Sequence, residues 1–309
     1  MSSEPETHDR RHLLRTAVAA GAGGVVAGIL GGATAAATRK PPAIQVEDRR
    51  RFRDKVILIT GATSGIGAAA AKMFANEGGK VAFCGRRENR GAQVEREIRA
   101  AGGEASYIRA DVRVESDVQR FVDQAAERYG GLDVCFNNAG ITIERPLHEY
   151  TSAEWDDVIG TDLRGNFLAL KYEIPHLLRR GGGVVVVTAS SNAIATTGKR
   201  SAYSAAKRGL VGMVQAAAQD YADSNIRINT LIPGTTDTEL VRRAAGMMDA
   251  PDAVWKPAVA LWAKANIAVA HRLATAEEIA TVALALASDE FTFITGAQIV
   301  VDGGKTAHA

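Results

Sequence analysis

Beyond residue 50 the hydrophobic positions fall into short unbroken runs, separated by small-residue turns and alanine-rich stretches. Val56-Ile57-Leu58-Ile59 is β-branched and shows no polar alternation, which predicts a strand buried on both faces of a parallel sheet. Lys80–Cys84, the run ending before Ala110, Leu132–Phe136, the valine-rich Gly183–Thr188 and Ile226–Ile232 repeat the pattern. The alanine-rich stretches ending near Phe74 and beginning near Tyr203 have helical character. Strands alternating with helices predict an α/β fold.

The first fifty residues follow a different pattern. A polar, charged start ends in Arg10-Arg11-His12-Leu13-Leu14-Arg15, and Thr16 to Ala37 then carries no charge. Ala33, Ala35 and Ala37 fit a small-residue cleavage pattern, so residues 1–37 read as an export signal. The paired arginines and the mild Gly/Ala-rich apolar stretch resemble a twin-arginine signal. The expected location is therefore periplasmic or extracellular, with no stable membrane insertion after cleavage. The alternative is a membrane anchor, because the uncharged stretch is just long enough to span if it stays uncut. Residues 38–51, with Pro41-Pro42 and mixed charges, read as a linker, and residues 52–309 as one domain.

Composition narrows the function classes. A net charge of +2, with the basic residues dispersed, excludes a nucleic-acid partner on electrostatic grounds. Cys84 and Cys135 both sit in apolar runs and read as buried thiols rather than a disulfide framework. No His/Cys cluster has metal-ligand spacing, so no metal is expected.

The run after Ile59 carries the first chemistry. Thr60-Gly61-Ala62-Thr63-Ser64-Gly65-Ile66-Gly67 joins a strand to a helix, the context that makes a glycine pattern a dinucleotide site. Gly61 permits a tight turn, Gly65 a close approach of backbone to pyrophosphate, and Gly67 the packing of helix on strand. The phosphates would lie at the helix N-terminus, beside Thr63, Ser64 and Ile66. The spacing G-x-x-x-G-x-G resembles the short-chain dehydrogenase/reductase form. The next strand ends in Gly85-Arg86-Arg87, where an NAD site would carry an acidic residue for the ribose 2′-hydroxyl. A guanidinium suits a 2′-phosphate, so NADP(H) is expected over NAD(H), with Arg86 the first candidate and Arg87 the second. The alternative is a pair of solvated arginines opening a helix.

Further motifs extend the resemblance. Ala110-Asp111-Val112 and Asn137-Asn138-Ala139-Gly140 match family stretches that line the cofactor, and the resemblance places Asp111 at the adenine ring. Ser190 follows the fifth strand, and Tyr203-Ser204-Ala205-Ala206-Lys207 begins the next helix. Tyr203 and Lys207 share a helix face at i, i+4, so the cation would favour the phenolate and fit the tyrosine for proton transfer to or from a carbonyl oxygen. Ser190 lies 13 residues before Tyr203. That separation matches the family and favours Ser190 over Ser191 as the group orienting the oxygen. Thr161-Asp162-Leu163-Arg164-Gly165-Asn166-Phe167 departs from the family, which has asparagine where this chain has Asp162. An ionised aspartate only accepts hydrogen bonds. Asp162 can hold a water linked to Lys207 and reinforce the ammonium, whereas Asn166 is not assumed to replace the family asparagine.

Pro233-Gly234-Thr235-Thr236-Asp237-Thr238 resembles the loop beside the nicotinamide, where Pro233, Gly234, Thr236 and Thr238 are expected to meet the cofactor. Glu239 to His271 matches no family signature. The resemblance makes it the lid, and Met247, Met248, Trp255, Leu261 and Trp262 suggest a mainly apolar carbonyl or alcohol substrate, with ordinary helix packing as the alternative. From Arg272 the family pattern returns as far as Lys305. The resemblance implies one Rossmann-like, doubly wound domain with a seven-stranded parallel sheet, assembling as a homotetramer. It implies hydride transfer between NADP(H) and a carbonyl/alcohol pair. The rival expectation is an NADP-binding sensor or assembly protein with little turnover, suggested by Asp162.

Overall fold

A computed structural model describes residues 50–268 and 271–307. The signal or anchor, and all of the linker except its last two residues, lie outside the described residues. Seven strands form one parallel sheet: β1 (Val56–Thr60), β2 (Lys80–Gly85), β3 (Glu104–Arg109), β4 (Val134–Asn137), β5 (Gly183–Thr188), β6 (Ile226–Pro233) and β7 (Gln298–Val301). Their order is β3-β2-β1-β4-β5-β6-β7. The order reverses between β1 and β4, and this is where the carboxyl ends of an open α/β sheet leave a crevice for a ligand.

The unbroken apolar runs are explained by helices on both faces. Along β1, Ile57 and Ile59 pack with Phe74, Phe83, Phe136 and Leu284 on one side, while Val56 and Leu58 pack with Phe121, Leu168 and Leu210 on the other. The two-residue period of the strand makes that division. The first face is covered by α1 (Gly65–Asn76) and, packed on it, the late helix Ala276–Ala287. The intervening helices are α2 (Glu88–Ala100), α3 (Glu115–Tyr129), α4 (Ser152–Ile159), α5 (Gly165–Arg180), α6 (Ser201–Asp220), α7 (Glu239–Ala244) and α8 (Asp252–Asn266), which makes the late helix α9. Residues of α3, α5 and α6 cover the second face. Thr151 and Thr275 start α4 and α9 with capping boxes completed by Glu154 and Glu278, satisfying backbone N–H groups that a helix start leaves open. At the start of the domain, Phe52 is buried in the core and Arg51 is bonded to Glu77 (Nη2–Oε1 2.6 Å), so the folded unit takes in the last linker residue.

Two features differ from the sequence expectation. The segment that carries Asp162 is a π-helical turn, Gly160–Arg164, between α4 and α5, which no local signal marked. The lid residues form a core of their own: Trp255, Ala263, Ile267 and Leu273 are buried together, with Val241, Met247, Val259 and Trp262 packed against them. Trp255 and Met247 therefore pack within the lid, and Met248 and Leu261 are exposed. Trp255, Met247 and Trp262 thus serve the packing of the lid. No helix among the described residues is long and apolar enough to cross a membrane.

Candidate active site

The glycine turn after β1 is shaped by contacts that leave no room for a side chain. Gly61 has φ +70°, and a Cβ there would stand 2.6 Å from the Ala139 backbone. A Cβ on Gly67 would stand 2.5 Å from the Gly61 carbonyl oxygen. Thr60 Oγ1 accepts from the N–H groups of Asn138 (3.1 Å) and Ala139 (3.2 Å), and Asn138 Nδ2 donates to the Gly61 carbonyl (3.3 Å). The two motifs, 78 residues apart, are thereby stitched across the β1–β4 pair. Ser64 precedes α1 in extended conformation and makes no side-chain cap, so the first N–H groups of the helix are left for an anion. These features fit the pyrophosphate of a dinucleotide.

The cleft above this turn is lined by Gly61, Thr63, Ser64, Gly65, Ile66, Arg86, Arg87, Asp111, Val112, Asn138, Ala139, Gly140, Ser190, Tyr203, Lys207, Pro233, Gly234, Thr236 and Thr238. All were candidates from the sequence. Gly67 and Asp162, the remaining two, lie behind the wall. The two arginines differ in their contacts. Arg86 is exposed and makes no hydrogen bond or ion pair among the described residues. Arg87 donates to Thr63 Oγ1 (3.0 Å) and Ser64 Oγ (2.6 Å), and pairs with Glu239 (3.0 Å) at the start of α7. Arg90 also grips Glu239, and the two arginines hold that carboxyl below its usual range, Arg90 more strongly. Asp111 binds Arg113 through both carboxylate oxygens (2.6 Å at Oδ2), which lowers its pKa.

At the chemical end, β5 delivers Ser190 to the cleft and α6 presents Tyr203 and Lys207. Ser190 Oγ accepts from the N–H of Asn192 (3.2 Å) and from its Nδ2 (3.4 Å). With its lone pairs engaged, the hydroxyl is left to donate its own proton toward the cleft. The Lys207 ammonium lies 5.5 Å from the Tyr203 ring centroid and donates to the Thr188 carbonyl (3.0 Å). Ser191, by contrast, is buried and does not line the cleft.

Asp162 sits in the π turn, fully buried, with Oδ2 3.2 Å from Lys207 Nζ and Oδ1 accepting from the Ile141 N–H (2.8 Å). Carboxylate and ammonium thus meet directly, with no intervening water required. Single-turn π bulges inside helices often mark functional sites; this one carries the carboxylate. Asn166 donates to the Asp162 carbonyl oxygen (2.7 Å) and bridges the turn rather than facing the cleft. Burial works against the Lys207 ammonium, but the charge of Asp162 and then of Tyr203 outweighs it and raises the lysine above its ordinary value. Burial also raises Asp162, against the opposing pull of Lys207 and the Ile141 N–H. Gly140 passes over the pair, where a Cβ would come within 3.1 Å of Asp162 Oδ2 and 3.3 Å of Lys207 Nζ.

Other residues at the site carried no local signal. Glu239 and Arg243 of the lid line the cleft, but Glu239 reveals itself only through arginines about 150 positions away. Glu173 on α5 is fully buried and accepts from Asn137 Nδ2 (2.8 Å), directly before the Asn138-Ala139-Gly140 run. Burial raises its carboxyl to about 8, against the effect of Asn137. Both cysteines are buried, and burial pushes the Cys84 thiol up to about 12. No metal-binding cluster occurs among the described residues.

A parallel seven-stranded sheet with a glycine turn at its switch point, and Ser190, Tyr203 and Lys207 gathered beside it, defines the class of protein. Residues 61–306 match the family described as enoyl-(acyl carrier protein) reductase. The chain belongs to the short-chain dehydrogenase/reductase family and is a nicotinamide-dependent hydride-transfer oxidoreductase. It is 38% identical to a cis-4-hydroxycyclohexanecarboxylate dehydrogenase of Sinomonas cyclohexanicum over 257 residues, 83% of this chain and 98% of that one. It is 37% identical to a cyclohexanol dehydrogenase of Acinetobacter sp. over 261 residues, 83% and 97% of the two chains. The crystal structure of levodione reductase superposes with a TM-score of 0.78 at 34% identity, covering 84% of this chain and all of that one.

Proposed function

We propose that the protein is an NADP(H)-dependent oxidoreductase that interconverts a ketone and a secondary alcohol on a six-membered ring. The observation that carries the reaction is the convergence of a donor-ready Ser190 hydroxyl, the Tyr203 phenol and the Lys207–Asp162 pair on one cleft. When bound, the nicotinamide supplies or accepts the hydride. Ser190 donates a hydrogen bond to the substrate oxygen and orients it. Tyr203 gives its proton to that oxygen in reduction and removes one in oxidation, and the neighbouring ammonium favours the phenolate this leaves. Asp162 keeps Lys207 charged. The sensor reading rested on Asp162, and its ion pair with Lys207 supports turnover instead.

The preference for the phosphorylated cofactor is supported by Gly85 at the end of β2, where no acidic side chain meets the ribose, and by the two arginines beyond it. The ring-borne substrate is supported by the relatives named for cyclohexanol and hydroxycyclohexanecarboxylate. Arg86, exposed at the cleft and without a hydrogen bond or ion pair among the described residues, is the stronger phosphate ligand, whereas Arg87 is already held by Thr63, Ser64 and Glu239. Fluorescence titration of the full chain with NADPH and NADH tests this, followed by turnover of cyclohexanone and cyclohexanol. Arg86→Ala is expected to weaken NADPH by about 10- to 100-fold while leaving NADH nearly unchanged, as fits a lost charge-assisted contact. A wild type that prefers NADH would overturn the cofactor assignment. For residues 1–37 we propose export by the twin-arginine route with nucleotide already bound, since that route carries folded proteins. Exported protein that retains residues 1–37, or that contains no nucleotide, would refute it.

A further inference from the structure

Lys305 lies in the tail after β7, at the end of the family pattern and without a role in the site so far, yet its side chain returns beside Ser191 and Thr235. Its ammonium is 3.4 Å from Ser191 Oγ, next in sequence to Ser190, and 3.3 Å from Thr235 Oγ1, between the cleft-lining Gly234 and Thr236. It also lies 5.7 Å from the centroid of Trp262 on the lid helix α8. Three separate elements therefore meet at this one cation: the turn after β5, the loop after β6 and the lid.

Among the described residues Lys305 has no counter-ion. Its two hydrogen bonds go to neutral hydroxyls at the long end of the range, and it forms no ion pair among the described residues. The nearest acidic group, Asp302, is committed to its own turn, accepting from the N–H of Gly304 (2.9 Å), the N–H of Thr306 (2.8 Å) and the hydroxyl of Thr306 (2.6 Å). The other charge that acts on Lys305 is a second cation, Arg200, which takes Glu144 for itself (2.8 Å). Burial and then Arg200 lower the Lys305 pKa, with Asp302 opposing them. A half-buried ammonium with a donor to spare and a cation nearby is destabilised until an anion arrives.

We propose that Lys305 is the counter-ion for a carboxylate carried by the substrate whose reacting oxygen meets Ser190 and Tyr203. The assignment refines the ring ketone/alcohol reading and rests on it. It makes the preferred substrate an oxo or hydroxy acid rather than a neutral alcohol. Ser190, Gly234 and Thr236 line the cleft and Lys305 bonds the residues adjoining them, so one small ring can meet Ser190 through its oxygen and turn its carboxylate toward the ammonium behind Ser191 and Thr235. The Trp262 face and the Ser191 and Thr235 hydroxyls then hold the ammonium in place.

The test is calorimetric binding of cyclohexanecarboxylate, and of neutral cyclohexylmethanol, to the full chain saturated with NADP⁺. The carboxylate is expected to bind more tightly than the alcohol. Lys305→Met is expected to weaken it by about 10- to 100-fold, the size of a lost hydrogen bond to a charged group, and Lys305→Arg to keep most of the affinity. The loss in Lys305→Met is confined to the charged probe. Equal affinity for the two probes, equal losses in the variant, or no binding of the carboxylate would overturn the proposal. NADPH titration of Lys305→Met checks the fold, and a matching loss of nucleotide affinity would assign the ammonium to the cofactor phosphates, again overturning it. If the probes discriminate as expected but neither cyclohexanol nor cyclohexanone turns over, the reaction assigned above fails while the anion site stands.

Discussion

The nucleotide half and the lid half of this protein are built by opposite means. Around β1 and β4 the decisive contacts are between backbone atoms, with Gly61 against Ala139 and Gly67 against the Gly61 carbonyl at distances that admit no Cβ. In the lid they are between side chains far apart in sequence: Trp255 Nε1 donates to Asp237 (3.0 Å), Arg242 lies over the Trp255 ring, and Arg87 and Arg90 reach across to Glu239. The first half shares the main core beneath the sheet, whereas the lid buries only Trp255, Ala263, Ile267 and Leu273 in a cluster of its own. A backbone-built site is rigid and sensitive to volume. A side-chain latch over a small satellite core can open locally at a fraction of the global unfolding free energy.

Substitutions at four positions break or sharpen this contrast. The largest effect is expected from Tyr203→Phe, which keeps the ring and removes the transferable proton. Its kcat should fall by about 10²- to 10⁴-fold, as for loss of a general acid–base group, with NADPH affinity changed only a few-fold. A comparable loss in nucleotide binding would show that the chemical and nucleotide sides are not separable. Gly67→Ala comes next, because its Cβ would stand 2.5 Å from the Gly61 carbonyl and 2.7 Å from Asn138 Nδ2. Overpacking of about 1–3 kcal/mol corresponds to roughly 10- to 100-fold weaker NADPH binding by fluorescence titration. Unchanged binding would mean that the turn is softer than its contacts indicate.

Trp255→Ala addresses the lid. In a main core such a truncation costs about 3–5 kcal/mol, but here the loss should stay local. Amide exchange is expected to accelerate across residues 239–266 and KM to rise several-fold, with a small change in thermal midpoint. A fall in midpoint matching that of Phe136→Ala would show that the lid unfolds with the body. Glu173→Gln is the smallest and most condition-dependent. The Glu173 carboxyl is raised from 4.5 to about 8 by burial. Between those values the folded protein holds a proton that the unfolded chain releases, so the contribution of this group to stability falls as pH rises and is lost above about pH 8. Glutamine accepts from Asn137 as before and carries no charge. It should therefore raise the thermal midpoint by a few degrees at pH 8.5 and by less at pH 5.5. An equal effect at both pH values would rule out titration as the cause.

Most of the frame was legible along the chain, for a reason visible in the contrast above. Strands buried on both faces must be continuously apolar, and backbone-built turns must be glycine, so both write themselves into consecutive residues. The six strands anticipated from apolar runs are present within a residue or two of their expected limits. β7 was not marked in this way, since its side chains lie at the sheet edge and are only partly covered. The spacing of Ser190, Tyr203 and Lys207 was legible because one strand end and one helix turn carry all three.

What stayed hidden depended on which way a side chain turns and what it meets. Two adjacent arginines are equivalent in sequence, yet Arg87 is bonded to Thr63, Ser64 and Glu239 while Arg86 points to solvent. The replacement at Asp162 was plain to read, but the π turn that carries the carboxylate to Lys207, 45 residues on, was not. Of the apolar lid residues, Trp255, Met247 and Trp262 pack on one another, whereas Met248 and Leu261 stay exposed. Lys305 closed the family pattern with no role attached, and the fold sets it beside Ser191, Thr235 and Trp262. The sequence by itself determined six of the strands, the glycine cradle and the spacing of Ser190, Tyr203 and Lys207, since each follows from local backbone geometry. Only the tertiary structure decided which charges are paired and which are left for a ligand, because charge pairing is set by distances in space between residues more than 150 positions apart.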